Sequence, residues 1–185
     1  PIGFTLGSVH GATTDGFLPT FIPGYIGLVL GDLVFGAMIG FVQYVAMRRT
    51  KYLPASIGWI IANSIGFTLG ARAGALLTFR IAGDWVLAGI TFGVFMGAGI
   101  GLVTSLVLFR SIAPKPLLTW LATSILAWVM GESIAFAAHF SMVAVPLVAL
   151  AIAGVTGLGL IYLQSNGWLE VQDPAGLSRF SGDQS

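Results

Sequence analysis

Of the 185 residues, 56% are hydrophobic and 8% charged, with 8 Lys+Arg set against 7 Asp+Glu for a net charge of +1. Soluble domains carry about 25% charge, so a mean hydropathy of +0.94 excludes an ordinary soluble domain and predicts a membrane protein. The absence of Cys removes thiol chemistry and cluster ligation, two His fall short of a three-His metal site, and eight scattered basic residues offer no footprint for nucleic acid.

A bilayer crossing needs about 20 apolar residues, which leaves room for six. In chain order the apolar runs predict spans over residues 1–12, 23–47, 54–79, 85–109, 116–140 and 143–164. Pro23, Pro54 and Pro116 stand at three of these starts, where proline suits the first helical turn. Residues 1–164 form a single transmembrane domain in this reading, and the polar stretch 165–185 is a surface tail. Trp59, Trp85, Trp120 and Trp168 fall near predicted span ends, as an interfacial aromatic belt requires.

Self-similarity organises the spans. Ile2-Gly3-Phe4-Thr5-Leu6-Gly7 recurs letter for letter as Ile65-Gly66-Phe67-Thr68-Leu69-Gly70, and a degraded third copy sets Trp59, Gly66 and Gly70 on Trp120, Ala127 and Gly131. The even-numbered spans match as well: Gly36, Gly40 and Arg49 fall on Gly97, Gly101 and Arg110, and Gly93, Gly97 and Gly101 fall on Ala149, Ala153 and Gly157. The expected fold is therefore all-α, six transmembrane helices arranged as three helical-hairpin repeats over approximately residues 1–47, 54–109 and 116–164. Two spans per repeat give every repeat the same orientation about an axis along the membrane normal, hence a pseudo-threefold bundle. The first copy starts at the level of Ser64, so the first helix is expected to be truncated at its N-terminus.

Lys and Arg in short loops set orientation. Arg48, Arg49, Lys51, Arg110 and Lys115 cluster in two connections, against Arg80 on the other side. That bias places those connections and the C-terminal tail in the cytoplasm, for a multi-pass protein of a bacterial inner membrane, cytoplasmic or photosynthetic.

Helices in lipid associate through small residues four apart that let backbones approach. Gly7, Gly36, Gly40, Gly70, Gly97, Gly101, Gly131 and Gly157 lie on such ladders and are read as packing positions. In a soluble helix each Gly would cost about 1 kcal/mol relative to Ala, so 26 glycines imply close contacts that return this energy.

Ionisable groups inside a span are expensive and are functional suspects by default. Asp32 is the deepest, and its repeat equivalent is Gly93, so its carboxylate belongs to one repeat alone. Its open partners are Asn63, Gln43 and Thr68, with protonation through desolvation as the alternative. Arg72 and Glu132 fall one step apart in the repeat frame and are expected to pair. His10 and His139 sit near span ends, where neutral imidazole suits a chlorophyll magnesium or haem iron; chlorophyll, carotenoid or lipid are the ligand classes weighed. The sequence contains no P-loop, H-E-x-x-H or G-x-S-x-G motif, and neither Ser64 nor Ser56 has an activating base. No catalytic and no metal-binding residue is expected.

The run from Gly40 to Arg49 (Gly-Phe-Val-Gln-Tyr-Val-Ala-Met-Arg-Arg), followed by Gly58-Trp59 through Asn63-Ser64-Ile65-Gly66 and Gly154-Val155-Thr156-Gly157-Leu158, resembles a group of uncharacterised Gly- and Trp-rich three-repeat membrane proteins of cyanobacteria and green non-sulfur bacteria. The likeness covers nearly the whole chain, although Thr104-Ser105 replaces the Gln-aromatic pair in the second repeat. A weaker likeness, Pro23-Gly24 followed by Gly31-Asp32, is to the substrate-binding components of energy-coupling-factor transporters. The first resemblance implies an accessory subunit of a photosynthetic or other bioenergetic complex, in contact with the bilayer and with other membrane subunits. The competing reading is a small-solute or ion transporter or channel with Asp32 on the path.

Overall fold

The computed structural model describes residues 25–48, 56–78, 84–109, 113–141 and 143–169. Among these it is all-helical, with α1 Tyr25–Arg48, α2 Ile57–Thr78, α3 Trp85–Leu108, α4 Pro114–Ala137 and α5 Val145–Ser165. All five are long and apolar enough to cross a membrane. The predicted first span, with Gly7 and His10, and the predicted tail beyond residue 169 lie outside the described residues.

Local chemistry sets the ends. Asp84 caps α3 by accepting a hydrogen bond from the Leu87 amide at 2.9 Å, which satisfies one of the orphan donors of the first turn. Pro114 begins α4, two residues before the predicted Pro116, because both prolines fit a first turn in which N–H groups are unpaired anyway. The same helix stops at Ala137, three residues early, because His139 and Phe140 adopt left-handed backbone with φ of 48° and 55°.

Each helix packs against its neighbours in the chain, and the contacts run antiparallel. A Cβ placed on Gly36 would meet Ser64 Cα at 2.8 Å, and one on Gly40 would meet Ile60 Cα at 2.9 Å. On the next seam a Cβ on Gly66 would meet Ile100 Cα at 2.7 Å, and one on Gly70 would meet Met96 Cα at 2.8 Å. Gly97 abuts Ile125, and Gly101 abuts Ser124 and Leu121, at positions displaced by the same step from Ser64, Asn63 and Ile60 in the α1–α2 seam. Gly99, which belongs to no predicted ladder, packs as closely: a Cβ there would meet the Gly66 carbonyl oxygen at 2.6 Å.

The α5 ladder is a correction. A methyl group added at Gly157 would have no described residue within 4 Å, and the same holds at Gly154, while Ala153 is exposed. α5 docks instead through Val148 and Ile152 on Gly131, and through Gly159 on Thr123. The predicted face is open because α5 packs extensively on α4 alone among the described helices.

The described residues form two interior clusters. Ile39, Phe67, Met96, Trp128 and Ile152 fill the middle. Met47, Trp59, Leu108, Trp120 and Leu163 fill the end where α1, α3 and α5 finish and α2 and α4 begin. Leu76, Leu106, Leu126, Leu150 and Leu158 point outward, as lipid-facing positions do when a helix is apolar all round.

Candidate functional site

Two polar constellations lie inside the helices. The first joins α1 and α2. Asp32 stands seven residues after the start of α1, and Arg72 six residues before the end of α2. At 1.5 Å per residue both are about 10 Å from the same end of the bundle. Arg72 Nη2 and Asp32 Oδ2 form an ion pair at 2.6 Å, with the side chains 26% and 16% exposed.

This corrects two expectations. Arg72 pairs with Asp32 and not with Glu132, because antiparallel packing brings the two to one level on touching helices. The partners foreseen for Asp32 are engaged elsewhere: Asn63 donates to the Trp59 carbonyl at 2.9 Å, Thr68 to the Ser64 carbonyl at 2.9 Å, and Gln43 accepts from Trp59. Glu132, 8% exposed on α4, has no hydrogen-bond or ion-pair partner among the described residues. His139 is exposed just past α4, with its ring edge-on to Trp85 at 5.0 Å between centroids.

The second constellation was not foreseen as a site. Trp59 and Trp120, expected at the membrane interface, are each only 2% exposed. Their indoles lie 6.1 Å apart and each is held by a hydrogen bond to the preceding helix. Trp59 Nε1 donates to Gln43 Oε1 at 3.0 Å, and Trp120 Nε1 donates to Thr104 Oγ1 at 2.9 Å. A buried indole keeps its N–H satisfied this way, which turns the rings inward. Trp85, by contrast, is half exposed, as an interfacial residue should be. The pairing of Gln43 and Thr104 at equivalent repeat positions was the available signal, since two polar residues so placed predict two buried donors opposite them.

These side chains border a cavity of about 280 Å³ whose walls come from all five helices, including Gln43, Trp59, Asn63, Trp120, Ser124 and Trp128. No ionisable residue is among its described lining, and Asp32, Arg72 and Glu132 lie outside it. Replacing Gln43 by Leu should lower the unfolding midpoint in detergent by the equivalent of about 1 kcal/mol, as intramembrane hydrogen bonds typically contribute. Trp59 emission should shift at the same time, because its N–H loses its acceptor.

No protein-family model matches the chain. No solved structure matches it. The groups themselves therefore define what the arrangement can do. No cluster of three or more His, Asp or Glu suited to a metal occurs among the described residues. The outer pair neutralises two charges at a helix seam, and the inner cavity has aromatic, amide and hydroxyl residues in its walls.

Proposed function

We propose that this protein is a non-enzymatic integral membrane subunit, an accessory or structural component of a larger membrane assembly that packs through its glycine faces and holds a lipid or pigment molecule. One observation carries this reading: Asp32 is closed against Arg72 at a seam outside the cavity, so the space inside the bundle and its charges are separate. A path for ions would bring them together. No described residue comes within 4 Å of a methyl added at Gly154 or Gly157 on α5, which supports a neighbouring helix or lipid at that face. The matched α1–α2 and α3–α4 seams support the hairpin-repeat reading, and the clustering of basic residues supports cytoplasmic placement of those two connections.

Extraction from the native membrane in mild detergent, followed by native electrophoresis, mass spectrometry and an absorption spectrum, tests this. Co-migration with larger membrane polypeptides is expected. A particle free of partners would overturn it, as would solute flux in proteoliposomes that Asp32→Asn abolishes. That second outcome is the transporter reading, which the burial of Glu132 without a partner among the described residues favours.

A further inference from the structure

We draw no further inference here: the strongest candidate, the cavity of about 280 Å³ bordered by all five helices, carries none, because the Ser124 hydroxyl and the Trp59, Trp120 and Trp128 rings in its walls are buried and nothing among the described residues shows what occupies it.

Discussion

Gly97→Ala should destabilise the protein strongly although alanine is the better helix former. A Cβ at this position would abut Ile125 Cα, with the Ser124 carbonyl at 2.6 Å and the Ile125 amide nitrogen at 2.7 Å. These are backbone atoms of α4, so no side-chain rotation relieves the clash and the helices must separate. Overpacking of this kind costs about 1–3 kcal/mol and occasionally more, and the upper end is expected here, against a propensity gain of about 1 kcal/mol. Gly154→Ala is the matched control, because no described residue lies within 4 Å of its added methyl. It should raise stability by up to about 1 kcal/mol. Thermal midpoints of both variants in the same detergent check this, and shifts of equal sign would show that seam contact is not what distinguishes the two glycines.

Breaking the Asp32–Arg72 pair should have the next largest effect, and its two halves should differ. Removing one partner of a buried pair costs about 3–5 kcal/mol; partial exposure of both side chains reduces this to about 2 kcal/mol for Arg72→Gln, which strands a short carboxylate inside α1. Asp32→Asn should cost less, since the long arginine stem lets its head reach the nearby membrane surface. The double variant should recover most of the loss, as neutral amides replace both charges. A double-mutant cycle of unfolding free energies measures the coupling. Additive losses would show that the two side chains do not act as a pair.

The helices were legible in the sequence because apolar runs and proline punctuation are local signals. The ranges 23–47, 54–79 and 85–109 lie within three residues of α1, α2 and α3 at every end. The early stop of α4 was not, since left-handed backbone at His139 and Phe140 carries no glycine to announce it. Among the small-residue ladders, Gly36, Gly40, Gly70, Gly97 and Gly101 lie at helix seams, whereas Gly157 meets no described residue, because a stripe on one helix does not say whether a partner reaches it.

For the sites, Asp32 stood out as a lone intramembrane acid, yet its partner was misread. The signal was present: the register that sets Gly40 on Ile60 and Gly36 on Ser64 sets Asp32 level with Thr68, and Arg72 follows one turn later on the same face. The cavity was illegible for a different reason. Its walls come from five separate helices, and their convergence depends on how far each is rotated about its own axis. Nothing local encodes that rotation, apart from the Gln43 and Thr104 acceptors that turn the two indoles inward.

The order of these seams also bears on biosynthesis. From α2 to α5 each described helix packs on the one made just before it, so their insertion can proceed without an early helix waiting for a late partner. Asp32 is the exception within a hairpin, because Arg72 follows it by 40 residues, about 2–8 s at ordinary synthesis rates of about 5–20 residues per second. During that interval α1 carries an uncompensated acid worth about 2.5–3.5 kcal/mol against its entry into lipid. Its stable residence in the bilayer is thus tied to the arrival of α2, and the pair enters as one unit.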